Sequence, residues 1–111
     1  MAYDEELAMR IKTNLKPLSQ DITEKKMFGG LSYLYKGKMS IGIIKDELAV
    51  RVVSKKFNEV LKQPNVKPMM FTGKPMKNFV YVEPNGFETE EQLTYWVNLG
   101  LEHAKEKLKN R

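Results

Sequence analysis

The sequence holds no cysteine, one histidine, one tryptophan and three arginines against sixteen lysines, and no apolar run near the ~18 residues of a membrane span. Each shortage removes a class of function. Without thiols there is no disulfide framework, no thiolate zinc site and no cysteine nucleophile. The single imidazole, His103, has only Glu102 and Glu106 as possible co-ligands and no second histidine, so no zinc site is expected, and it reads as a surface histidine packing a ring edge. Scarce arginine weighs against a surface built for bidentate recognition of phosphate or guanine. The start, Met1-Ala2-Tyr3-Asp4-Glu5-Glu6, is acidic where a signal peptide is basic and then apolar, so the expectation is a cytoplasmic protein without a membrane partner.

What is present suffices for one domain spanning residues 1–111. Leu, Ile, Val and Phe make up 29 of the 111 residues, above the roughly 20% below which charged chains tend to stay unfolded. The net charge of +5 is unevenly spread: residues 1–24 carry −2, residues 25–77 carry +9 and residues 78–111 carry −2. A basic middle can meet phosphates, although lysines solvating a sheet give the same signal.

Apolar residues recur every four from Tyr3 through Leu7 and Ile11 to Leu15, which predicts an amphipathic helix with Asp4, Glu5 and Glu6 in its first turn and Pro17 at its end. Ile22 to Phe28 reads as a strand, followed by a bend or bulge at Gly29-Gly30. Leu31, Tyr33 and Tyr35, then Met39, Ile41 and Ile43, then Leu48, Val50 and Val52 alternate with other residues, the period of half-buried strands. A three-residue turn at Lys36-Gly37-Lys38 and a two-residue turn at Lys45-Asp46 would put all nine on one face, leaving Ser32, Leu34, Ser40, Gly42, Ile44, Ala49 and Arg51 on the other. Ser54 is placed to cap a short helix to about Gln63, with Phe57, Val60 and Leu61 inward. Asn65 to Asn78, punctuated by Pro68, Gly73 and Pro75, reads as a long loop, and Phe79 to Val82 as a strand. Thr89 and Gln92 form a capping box before a long helix with the stripe Leu93, Trp96, Val97, Gly100, Leu101, Ala104 and Leu108. The order α-β-β-β-β-α-β-α predicts a two-layer α+β domain, an antiparallel sheet of about five strands with helices on one face.

No catalytic constellation emerges. Gly30-Leu31-Ser32-Tyr33-Leu34 lacks the second glycine of a nucleophile elbow. Asp46-Glu47 sits at a turn and Glu90-Glu91 at a helix start, so neither pair reads as an acid and base. Thr72-Gly73-Lys74-Pro75 lacks the earlier glycine and the metal-binding hydroxyl of a phosphate loop. Lys74 and Lys77, with Arg51, remain as candidate anion or partner contacts. The seven methionines are expected mainly to fill the core. Leu34 and Ile44 on the second sheet face, and Tyr95 and Leu99 on a second ridge of the last helix, are candidate interaction residues, because a solvated sheet face is normally more polar.

Three stretches, Lys26-Met27-Phe28-Gly29-Gly30-Leu31, Asp46-Glu47-Leu48-Ala49-Val50-Arg51-Val52 and Pro68 through Val82, together with Trp96-Val97, Gly100-Leu101 and Ala104, resemble the N-terminal domain family of the TfoX (Sxy) competence regulators of bacteria. The resemblance spans about Leu7 to Leu108. It implies a two-layer domain similar to the secretion-chaperone type of fold and, in full-length members, a link to transcriptional control of DNA uptake. It brings no catalytic, cofactor or ligand residues with it. The chain ends at Arg111 without the C-terminal helical domain of those members, so a stand-alone member is expected. The resulting expectation is a non-enzymatic, cofactor-free regulatory interaction domain contacting a protein partner or itself as a homodimer. The alternatives are nucleic-acid contact through the basic middle and a small-ligand pocket under the Asn65–Asn78 loop.

Overall fold

A computed structural model describes the backbone of residues 4–27, 30–71 and 74–109, and the side chains of the same residues except 27, 69–71 and 74–77. Helix α1 spans Glu5–Leu15 and starts at Asp4, whose Oδ1 accepts hydrogen bonds from the amides of Glu6 (2.9 Å) and Leu7 (3.2 Å). A 3₁₀ segment, Lys16–Asp21, follows with Pro17 in its first turn. Strands β1 (Ile22–Met27), β2 (Gly30–Tyr35), β3 (Lys38–Ile44) and β4 (Glu47–Arg51) form a meander. Helix α2 (Ser54–Leu61), strands β5 (Val66–Phe71) and β6 (Lys74–Val82), and helix α3 (Glu90–Lys109) complete the chain.

The result is the expected α+β class, with six antiparallel strands in the order β1-β2-β3-β4-β6-β5 instead of five. The added strand comes from the segment expected as a loop, where β5 and β6 pair from Val66↔Val82 to Phe71↔Lys74. Proline misled there for a physical reason. Pro68 lies in the edge strand, and Pro75 lies beyond the stretch of β6 that pairs with β4, so few ladder bonds depend on their missing N–H groups. Asn65 (φ 67°) and Asn78 (φ 68°) take the left-handed conformation that asparagine tolerates, one before β5 and the other within β6. The Asn78 side chain joins β6 to the β4–α2 connection, donating to the Val52 carbonyl (2.9 Å) and to Ser54 Oγ (3.1 Å). Ser54 therefore does not cap α2, whose N-cap is Val53.

In the meander, Leu31↔Ile43, Tyr33↔Ile41, Ile43↔Leu48 and Ile41↔Val50 pair as the alternation requires. The β2–β3 turn is shorter than expected. Lys36 (φ 49°) and Gly37 (φ 86°) both take positive φ, as in the two-residue turn whose twist matches a hairpin. The extra residue reappears inside β3 as a bulge at Ser40, so Met39 pairs with Leu34 instead of Tyr35 and turns away from the core face. Ser40 is fully buried and its hydroxyl donates to the Tyr33 carbonyl at 3.0 Å. Gly100 of α3 packs directly on this bulge, where any added Cβ would collide with the Ser40 carbonyl.

All three helices share one core with the sheet. Leu7, Ile11 and Leu15 of α1, Val60 of α2, and Leu93, Trp96, Val97, Leu101 and Ala104 of α3 cluster with Leu31, Tyr33, Ile41, Ile43, Leu48, Val50, Val52, Val80 and Val82. Each large aliphatic side chain buried there contributes about 1.5–3 kcal/mol. Phe57 and Leu61 pack at its margin. The capping box forms as read: the Thr89 amide donates to Gln92 Oε1 (3.0 Å) and the Gln92 amide to Thr89 Oγ1 (3.1 Å). Trp96 Nε1 donates to the buried Gly86 carbonyl at 2.9 Å, fixing the start of α3 against the turn after β6. No helix among the described residues is long and apolar enough to cross a membrane.

Candidate functional site

With every helix on one face, the other face of the sheet carries its own small cluster. Ala49 and Phe79 are buried there, and Met39, Ile44 and Tyr81 pack against them; no residue of a helix belongs to it. The strand register runs one row across all six strands: Lys25, Ser32, Gly42, Ala49, Tyr81 and Lys67. Its middle is made of small residues and its ends are lysines. Leu34 and Met39 stand on one side of the row and Ile44 on the other, all half-buried. The three small residues are buried, and Met39 Cε stands 3.4 Å from where a Gly42 Cβ would be, so the larger side chains close over the row and present an apolar patch. Lys67 Nζ contacts Glu47 Oε2 at 3.0 Å, a hydrogen bond that raises its pKa, and lies over the Tyr81 ring.

The candidate interaction residues are only partly brought together. Leu34 and Ile44 lie on this helix-free face as expected. Leu99 does not form a surface ridge with Tyr95: it is 6% exposed and belongs to the main core. Helix α2 and the turn after it reach that flank of α3, through Lys56 Nζ to Glu102 Oε1 (2.9 Å) and Gln63 Nε2 to the Tyr95 hydroxyl (2.7 Å), and the two α3 partners bracket Leu99 in sequence and on the helix surface. Tyr95 is 43% exposed and borders a groove of about 510 Å³ with Gln63, Asn65, Glu91 and Trp96. Lys74 and Lys77 fall in β6, where their side chains lie outside the described residues, as do Thr72 and Gly73 entirely. Consequently the loop expected over Thr72–Lys77 is a strand from Lys74 onward.

Arg51, at the end of β4, is better defined. Its guanidinium lies 4.4 Å from the centre of the Phe79 ring and its Nη2 is 3.5 Å from Nε2 of His103. His103 is not a surface residue: it is 5% exposed, buried where α3 meets the end of β4. Burial, then Arg51, then Lys107 hold its pKa down at about 4. Desolvation also lowers the pKa of Arg51. Arg51 Nε and His103 Nδ1 are both buried without a hydrogen-bond partner. Helical spacing alone put His103 on the margin of a stripe; the partner that reaches it from 52 residues away leaves no local signal. Among the described residues no group of three or more histidine, aspartate or glutamate side chains is placed to hold a metal ion.

No curated protein and no solved structure matches the chain significantly. A family model does, described as the TfoX N-terminal domain, and it covers residues 13–104. That span takes in the meander, α2, the β5–β6 hairpin and α3 up to Ala104. The chain belongs to the TfoX N-terminal domain family.

Proposed function

We propose that this regulatory domain works without chemistry of its own, by contact between the helix-free face of its sheet and a protein partner. The observation that carries the reading is the half-buried apolar patch of Leu34, Met39, Ile44 and Tyr81 closing over the buried Ser32, Gly42, Ala49 and Phe79 on a sheet face without helices. Half-buried apolar side chains on a face without helices are where a partner gains most from excluding water. Lys25 at one edge favours an acidic residue beside the partner's apolar segment, whereas Lys67 at the other is already paired with Glu47.

The test is capture on the immobilised full chain from a lysate of the source organism, with and without nuclease, using wild type, Ile44→Glu and Lys25→Glu. A protein that survives nuclease, binds wild type and is lost from both variants supports the reading. One that vanishes with nuclease transfers the function to nucleic acid, and one retained by both variants removes this face from it. Sedimentation at tens of micromolar separates the homodimer: a dimer dissolved by Ile44→Glu would make the second copy the occupant.

A further inference from the structure

The end of the sheet beside His103 carries a second arrangement, which shares Met39 and Phe79 with the helix-free face. A pocket of about 250 Å³ is lined by Gly37, Lys38, Met39, Arg51, His103 and Lys107. Three basic side chains converge on it from three places: Lys38 at the start of β3, Arg51 at the end of β4 and Lys107 in the last turns of α3. No acidic side chain pairs with Arg51 among the described residues, and the residues outside them include no aspartate or glutamate. The Phe79 ring and His103 hold the guanidinium in place. Two donors here lack acceptors. If His103 Nε2 accepts from Arg51, its proton sits on Nδ1, and that N–H and the Arg51 Nε–H are the two buried groups without partners. His103 is itself more than nine-tenths buried.

We infer that this pocket is a binding site for a small phosphorylated molecule, its phosphoryl group held by Arg51, Lys38 and Lys107 over His103. A planar guanidinium fork suits a phosphoryl group, and three cations without a carboxylate suit an anion of more than one charge. A carboxylate ligand would leave most of that charge unanswered. The one opposing group nearby is Glu106, exposed on α3, which lines the adjoining space of about 100 Å³ with His103, Ser54 and Asn78. The remaining polar side chains of that space are occupied, Asn78 donating to Val52 and Ser54.

Because the chain has a single histidine, the C2–H resonance of His103 reports on the pocket without ambiguity. The full chain is titrated with inorganic phosphate and with glycerol 3-phosphate at constant ionic strength, sodium chloride making up the balance. The groups facing the imidazole are Arg51 from β4, Lys38 from β3, and Lys107 and Glu106 from α3. An added phosphoryl anion among them favours the imidazolium, so the resonance should move saturably and the His103 pKa should rise. Arg51→Lys keeps the charge but removes the fork and should weaken binding about tenfold. The double variant Lys38→Gln/Lys107→Gln alters only exposed side chains, so it keeps the fold, and it should weaken binding by at least that much. A resonance that moves no more in phosphate than in chloride leaves the two orphaned groups to an internal water and overturns the inference. So does a duplex oligonucleotide that moves it at lower phosphate equivalents than glycerol 3-phosphate, because the pocket would then serve a nucleic-acid backbone.

Discussion

Arg51 Nη2 and His103 Nε2 lie 3.5 Å apart where β4 ends against α3, and the burial of the imidazole there, with the guanidinium's charge beside it, makes folding sensitive to proton concentration. In the unfolded chain His103 titrates near 6.5; in the fold its pKa is held down at about 4. Between those values the unfolded chain binds the extra proton, so stability is full above about pH 6.5 and falls as the pH drops toward 4. The loss for a displacement of that size is on the order of 3 kcal/mol. His103→Gln should flatten this part of the curve of unfolding free energy against pH, measured by urea denaturation. A slope in that window unchanged by the substitution would separate His103 from the acid sensitivity.

Leu99 and Tyr95, one helical turn apart, should respond very differently to charge. Leu99→Glu places a carboxylate in the core and should cost about 3 kcal/mol or more. Tyr95→Glu removes a partly exposed ring, its bond from Gln63 and its edge contact with Trp96, and should cost about 1 kcal/mol. Melting temperatures of the two variants check this, and equal values would mean that α2 does not shield Leu99.

That difference marks what local sequence carries and what it does not. The stripe Leu93, Trp96, Val97, Leu101 and Ala104, the Thr89–Gln92 box and the meander pairs from Leu31 to Val50 were legible because each depends on neighbours a few residues away or on strict alternation. The positions of Leu99, His103 and Met39 depend on long-range packing: α2 lying beside α3, Arg51 reaching α3, and a bulge at Ser40 displacing one strand end. For the β5–β6 hairpin the prolines spoke for a loop, and only the edge position of that hairpin makes them harmless. Of the candidate site, the apolar second face was readable from alternation, whereas the lysines at its two edges, Lys25 and Lys67, required the register of β1 and β5.

Gly100 is needed for the helix to sit on the bulge. Gly100→Ala would drive a methyl into the Ser40 carbonyl, where the obstacle is backbone and cannot rotate away. The expected cost is about 1–3 kcal/mol, despite alanine's higher helix propensity. Thermal unfolding of the variant measures it, and an unchanged or raised melting temperature would contradict the close approach of α3 to β3.

Binding to random duplex DNA should be weak and fall steeply with salt. Lys36 and Lys38 lie at one end of β3 and Lys45 at the other, roughly 20 Å away at about 3.3 Å per residue. Cations so separated neutralise few adjacent phosphates. Fluorescence anisotropy with a labelled duplex checks this, and sub-micromolar binding at physiological salt would contradict it.

The most direct test of the protein-contact reading is photo-crosslinking in living cells, with a benzophenone amino acid placed at Ile44 in one experiment and at Tyr95 in another. Position 44 lies in the apolar patch of the helix-free face, whereas position 95 lies on the helical side of the molecule. The account predicts a discrete protein adduct from position 44 that survives nuclease, and none from position 95. Adducts from position 95 alone, or only nucleic-acid adducts from position 44, would contradict it.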